Sequence, residues 1–198
     1  MQLLELNHEK NSNYSDFCRC LRVCEAVQSM CTSNVTEELE ACAKENFEYS
    51  DRILNLTYNG LATKLSPDDR RILNEAEKAW LAYKNATCQG AYHATSPGEE
   101  AGIDKWTCLD QITRARTEEM QYLNTGIGVL GFYKALDIVS RLYEGGSREM
   151  FISKLTDIFS KSDDKSWRAY VENNRKLAVA KLHEDKSVCI ARQVFYLY

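Results

Sequence analysis

The residues with the most chemistry to offer are eight cysteines, at positions 18, 20, 24, 31, 42, 88, 108 and 189 of a 198-residue chain. A thiol can ligate a metal, attack an electrophile or pair with another thiol. No C-x-x-C pair occurs, which removes the zinc-ribbon and thioredoxin patterns. A metal site is conceivable only over Cys18, Cys20 and Cys24 with His8, and it is the weaker reading, because tetrahedral sites show two cleanly spaced pairs. Disulfide pairing is the stronger one and places the chain in an oxidising compartment, although a lone cysteine also serves as a small buried hydrophobe.

Other catalytic constellations are absent. His8, His93 and His183 stand apart from one another, and no G-x-S-x-G, H-E-x-x-H or phosphate loop is present. Gly126, Gly128 and Gly131 spell G-x-G-x-x-G. That motif binds a dinucleotide only where a strand precedes it; here a helical pattern does, so a hinge between two helical halves is the better reading. The chain therefore reads as a non-enzyme with no cofactor and no metal.

These residues must be positioned by helices. Pro occurs only at 67 and 97, and no period-2 alternation is sustained. Ser15 opens a short helix carrying Cys18, Leu21, Cys24 and Val27. Thr36, with Glu37 and Glu38, opens a long one whose stripe runs Leu39, Ala43, Phe47, Leu54, Tyr58, Leu61, Leu65. Ser66-Pro67-Asp68-Asp69 starts the next, which buries Leu73, Ala76, Trp80 and Tyr83 and leaves Lys78 and Lys84 outside. Ser96-Pro97-Gly98-Glu99 repeats the start signal for a helix carrying Leu109, Ile112, Arg116, Met120 and Leu123. Beyond a boundary near 125, three amphipathic helices are expected over 129–144, 148–160 and 163–184, with Ser147 and Ser162 as caps. Trp167-Arg168-Ala169-Tyr170 echoes Trp80-Leu81-Ala82-Tyr83, which raises a degenerate second repeat.

The expected architecture is all-α: a disulfide-stapled helical bundle with a C-terminal helical extension. It divides into a Cys-rich segment 1–35, a helical domain 36–125 and a C-terminal subdomain 126–198. Arg116 falls on an apolar stripe and Asp51 on the inner side of its helix. They are candidates to pair, unless Arg116 snorkels to the surface. A formal net charge of -4 argues against nucleic acid and membrane surfaces as partners, and no stretch is long and apolar enough to span a bilayer. Residues 1–10 lack an apolar signal core, as in a mature protein whose export signal has been removed.

Leu39-Glu40-Ala41-Cys42-Ala43, Tyr49-Ser50-Asp51 with Leu54-Asn55 and Tyr58, Leu73 with Ala79-Trp80, Tyr83 and Cys88, and Cys108 with Ile112-Thr113, Arg116-Thr117 and Met120 follow one another in a recognisable order. Over about residues 36–123 the chain resembles the LprI-type lysozyme-inhibitor domain of exported bacterial proteins. Ser50 and Glu77 depart from it, where Ala and Gln are commoner. The resemblance implies a Cys88–Cys108 disulfide, a binding rather than catalytic role, and a structural signature of Asp51, Asn55, Tyr58, Trp80, Thr113 and Arg116. Such a bridge would close a polar loop of roughly 20 residues, worth ~3 kcal/mol in the chain-entropy model. Cys31 and Cys42 flank the start of the long helix as a second pair, and Cys189 needs a distant partner in the N-terminal cluster.

The resulting expectation is a periplasmic or secreted protein that occludes the cleft of a basic peptidoglycan hydrolase, as a lysozyme inhibitor or as an immunity protein against a wall-degrading toxin. Glu99, Glu100 and Asp104 of the stapled loop are its expected contacts. The alternative is a non-enzymatic structural or assembly module of the bacterial envelope.

Overall fold

Helix starts and stops in this chain are set by a few side chains, and these account for the seven helices of the computed structural model, which describes residues 29–143 and 145–195. No strand occurs among the described residues. The helix expected after Ser15 and the cluster Cys18, Cys20 and Cys24 lie outside them. Helix α1 spans Thr36–Ala62. Its N-cap, Val35, offers no side-chain cap, and the Ser33 hydroxyl works just upstream, accepting from the Val35 amide at 3.0 Å and donating to Glu38 at 2.6 Å. Glu37 and Glu38 complement the dipole of the first turn. Ala43, Ser50, Leu54 and Leu61 form its buried stripe at spacings of four and seven.

Helix α2 (Pro67–Thr95) starts as its sequence dictates: the Ser66 hydroxyl accepts from the Asp69 amide at 3.1 Å and Pro67 occupies the first turn. Leu73, Ala76, Trp80 and Tyr83 are buried as expected, but so is Lys84. Its ammonium lies 4.6 Å from the centre of the Trp80 ring, 5.2 Å from that of Phe47 and 3.9 Å from the Asp51 carboxylate. Two ring faces and a counter-charge from α1 make burial of that cation tolerable.

Ser96 does not start a helix. It is the C-cap of α2, its amide donating to the Tyr92 carbonyl, and α3 (Ala101–Thr125) begins five residues later. The Ser96–Pro97 peptide is cis, and the next turn is closed by the Gly98 amide on the Thr95 carbonyl. A Ser-Pro-x-Glu string marks a start only where the preceding helix has already ended; here α2 runs up to it.

The G-x-G-x-x-G run ends α3. Gly126, at φ 70°, is the left-handed C-cap, and Gly128, at φ 133°, takes a conformation that other residues rarely adopt. Helices α4 (Leu130–Tyr143) and α5 (Arg148–Lys161) follow, the latter capped by Ser147 as expected. Helix α6 (Lys165–Leu182) is capped by Asp164 rather than Ser162, the carboxylate accepting from the Ser166 and Trp167 amides at 2.9 and 3.0 Å. It stops at His183, in the left-handed region at φ 54°. The last helix, α7 (Lys186–Phe195), has no counterpart in the sequence reading. Its start is marked by Asp185, which accepts from the Ser187 and Val188 amides.

Helix α1 packs chiefly on α3, α2 on α3 and α6, and α5 on α7. Everything from Cys31 onward belongs to one compact unit. A single apolar cluster runs from Leu54 and Leu73 through Met120, Leu123 and Phe132 to Trp167, Leu177 and Val194. The two echoed motifs meet inside it: the Tyr83 and Tyr170 rings lie parallel with centroids 6.3 Å apart, and Trp167 meets Phe159 edge-on at 5.3 Å.

Candidate partner-binding site

The stapled segment is not a loop of some twenty residues. Helix α2 continues to Thr95 and α3 resumes at Ala101, so only Ser96–Glu100 lie outside helix. The Cys88–Cys108 disulfide, with Cα atoms 5.5 Å apart, ties the two helices together some two turns below that tip. Tight helical geometry on both sides replaces the loop freedom that Gly-rich composition led one to expect. Glu99 and Glu100 are exposed on the tip, and Asp104 sits half-buried in the first turn of α3.

The N-terminus of α1 comes to the same end. The Thr36 hydroxyl donates to the Glu99 carboxylate at 3.4 Å, which brings the first turn of α1, where Glu37 and Glu38 are exposed, to the end of the molecule that carries Glu99 and Glu100. Beneath them the Trp106 indole N–H donates to Glu40 at 3.2 Å. Gly102 makes room for that carboxylate, since a Cβ there would lie 2.2 Å from it. Lys44 and Lys105 lie over the Trp106 ring at 5.6 and 5.3 Å, and Phe47 packs on it at 5.7 Å. The nearby cations are thus drawn onto the indole while the carboxylates stand out at the tip. The second disulfide, Cys31–Cys42, anchors the strand of chain that leads into α1.

Of the six signature residues, Trp80, Thr113 and Arg116 are buried, Asp51 and Tyr58 half-buried and Asn55 exposed. The Asn55 amide donates to the Asp51 carbonyl and carboxylate at 2.8 and 3.0 Å, and the Tyr58 hydroxyl donates to Asn74. Trp80 lies under Lys84, and Thr113 is fully buried with no partner for its hydroxyl among the described residues. Arg116 neither meets Asp51 nor snorkels. It is 1% exposed, donates to Glu77 from Nε at 2.6 Å and again from Nη2, and reaches Asn174 at 2.7 Å and the Tyr170 hydroxyl at 3.4 Å. Glu77, one of the departures from the family pattern, is therefore the counter-ion of the buried arginine.

A second buried arginine went unanticipated. Arg192 of α7 pairs with Glu119 and with Glu184, the latter at 3.0 and 2.8 Å, while the Asn174 amide donates to Glu119 at 2.7 Å. Glu77, Arg116, Asn174, Glu119, Arg192 and Glu184 form one continuous chain of bonds. Burial alone would lower both guanidinium pKa values; the facing carboxylates more than reverse it and raise them, so both arginines stay charged. Its signal in the sequence is slight: an Arg on the apolar stripe of a short C-terminal segment.

The distant partner expected for Cys189 is not found among the described residues. Cys189 is a free, buried thiol in contact with Arg192 at 3.7 Å, and burial raises its pKa well above the ordinary value. Among the described residues no group of His, Cys, Asp and Glu is arranged to hold a metal, and no helix is long and apolar enough to cross a membrane.

Residues 26–120 match the family model described as lysozyme inhibitor LprI. An uncharacterized protein of Rhizobium meliloti (strain 1021) is 25% identical over 99 residues, which cover 43% of this chain and 71% of the relative. No solved structure matches. The matched stretch takes in both disulfides, the acidic tip, Glu77 and Arg116, and leaves α4 to α7 outside. Over residues 26–120 the chain is thus similar to the family described as lysozyme inhibitor LprI.

Proposed function

We propose that the protein is an exported, non-catalytic inhibitor of a basic peptidoglycan hydrolase, either a lysozyme or a wall-degrading toxin, and that it docks its acidic end at the enzyme's cleft. The observation that carries this reading is the stapled tip, where exposed Glu99 and Glu100 meet the acidic first turn of α1 through Thr36 on a rigid helical support. A rigid acidic projection gives a basic enzyme both long-range attraction and a pre-ordered contact with little entropy left to lose. Two disulfides fit an oxidising compartment. The family supports a lysozyme as the partner; Asp104, half-buried one turn in, would line the edge of the contact.

The test is lysis of cell walls by lysozyme, followed by turbidity with and without the protein. The wild type slows lysis, and Glu99→Gln with Glu100→Gln weakens inhibition by about tenfold or more, since each 1.4 kcal/mol lost at a charged contact is a factor of ten. Lysis that proceeds unchanged in the presence of the wild type rejects the reading. One feature favours the envelope-module alternative: Ile127 and, on α4, Leu130, Ile138 and Leu142 are large apolar side chains left exposed outside the family segment.

A further inference from the structure

Helix α4 is apolar on two opposite sides. Phe132, Leu136 and Ser140 are buried, and Phe132 and Leu136 belong to the common core. Half a turn away from them, Leu130, Lys134, Ile138 and Leu142 recur every four residues, and the three aliphatic members are 64%, 57% and 68% exposed. A single exposed Leu or Ile needs no explanation, but three aligned on a 14-residue helix form a continuous strip. A helix that is apolar all round is covered all round. Within this chain α4 packs chiefly on α5, and its outer strip is left to solvent.

The pattern of the strip indicates what covers it. Rows at i±4n are the ridges of the commonest class of helix packing. This row is also symmetric about Leu136: Leu130 and Leu142 lie six residues to either side of it, and Lys134 and Ile138 two. A two-fold axis near the middle of α4 therefore brings Leu130 of each copy towards Leu142 of the other and lays the Lys134 stem along Ile138. Asp137, exposed at the edge of the strip within one turn of Lys134, is carried along by the same rotation, so the ammonium of each copy comes to the carboxylate of the other. Arg148 lies 3.4 Å from Asp137, but both side chains are about half exposed. A surface pair of that kind contributes little, and a carboxylate accepts from more than one donor. Arg141, exposed one turn further on, stands at the rim.

We propose that the outer face of α4 binds a second copy of this chain, antiparallel about a two-fold axis. Helix α4 is about 21 Å long at 1.5 Å per residue, so the contact falls near or below the roughly 1,200 Å² at which stable interfaces begin, and the dimer is a weak one. Helix α4 follows the end of α3 opposite the acidic tip, about 36 Å away along that 25-residue helix, so the dimer does not rest on the inhibitor reading.

The test is sedimentation equilibrium of the whole protein up to about 500 µM, where a reversible monomer–dimer equilibrium with a Kd of about 10–100 µM is expected. Ile138→Glu, at an exposed position, keeps the circular dichroism spectrum, the melting temperature and any lysozyme inhibition of the wild type, and is monomeric throughout. Lys134→Glu sets carboxylates against carboxylates and weakens the dimer by about tenfold, and adding Asp137→Lys restores it to within about threefold. That restoration depends on the antiparallel register and on nothing else in the strip. The proposal is overturned by a monomer at about 500 µM, which would leave the strip to a different protein, by a dimer that survives Ile138→Glu, or by a charge exchange that restores nothing. It is equally overturned by a dimer that persists in a denaturing gel without reductant, since that one is disulfide-linked. Binding of a monomeric wild type to phosphatidylglycerol vesicles, lost in Ile138→Glu, would assign the strip to a bilayer surface instead.

Discussion

Arg116 and Arg192 place two guanidinium groups out of contact with water, and an arginine cannot escape that cost by losing its proton. Glu77 holds Arg116, Glu119 and Glu184 hold Arg192, and Asn174 links the two pairs by accepting from Arg116 and donating to Glu119. Removing one charge leaves the other buried alone, so Arg116→Ala is expected to cost about 3–5 kcal/mol in denaturant unfolding. A cycle of Arg116→Ala with Glu77→Ala should show strong coupling, and one with Asp51→Ala should be additive, since Asp51 faces Lys84. Additivity with Glu77 would reject the pairing. The composition and pattern around Arg116 identified it as a charge on an apolar stripe, which is a local property. Its partner stands 39 residues away on another helix, and nothing local distinguishes Glu77 from the other carboxylates of α2.

Helix boundaries show where local chemistry suffices and where it is overruled. Ser66 and Ser147 cap the helices their sequences predict, because nothing nearby competes for the amides they accept. Ser162 loses to Asp164, two residues on, whose carboxylate accepts from two amides and from the Ser166 hydroxyl at 2.6 Å. Partial burial alone would raise the Asp164 pKa, but these three bonds outweigh it and hold it below the ordinary 3.8. The sign of the linkage follows: a depressed carboxylate stabilises the fold above its unfolded pKa, and that contribution is lost as pH falls through the folded value. Asp164→Ala should therefore cost about 1 kcal/mol at neutral pH, and thermal melts of the two proteins should converge below pH 3.8. A gap that stays constant into acid would show that the charge plays no part. The staple also belongs to this scale. Replacing Cys88 and Cys108 by Ala releases a constraint over 20 residues, worth about 3 kcal/mol by chain entropy, and should lower the melting temperature while weakening inhibition through loss of a rigid tip.

At the scale of the whole molecule, the family segment and the C-terminal helices share one interior. Trp80, Tyr83 and Arg116 belong to the matched residues 26–120, yet they are covered by Trp167, Tyr170 and Asn174 of α6. Met120 and Leu123 close against the same cluster as Phe132, Leu177 and Val194. That continuity was invisible to composition and periodicity. Gly126 to Gly131 punctuate the chain as a linker does, and the contacts that cancel the break join residues such as Glu119 and Arg192, 73 positions apart. The echo of Trp80-x-x-Tyr83 in Trp167-x-x-Tyr170 was the one visible trace, and it marks the two surfaces that meet. A fragment ending at Gly126 would expose two large aromatic side chains and leave the Arg116–Glu77 pair open to water on one side. Uncovering that much apolar surface costs several kcal/mol at ~25 cal/mol per Å², a large part of the stability of an ordinary domain. The fragment is accordingly expected to unfold without a cooperative transition, or at a melting temperature lowered by 10 °C or more, to bind hydrophobic dye, and to inhibit weakly. Adding residues 127–198 as a separate chain should restore part of the near-ultraviolet dichroism of the tryptophans. A cooperative melt at the full-length temperature would show instead that α4 to α7 are an appendage, and that the acidic tip needs nothing beyond its own three helices and two disulfides.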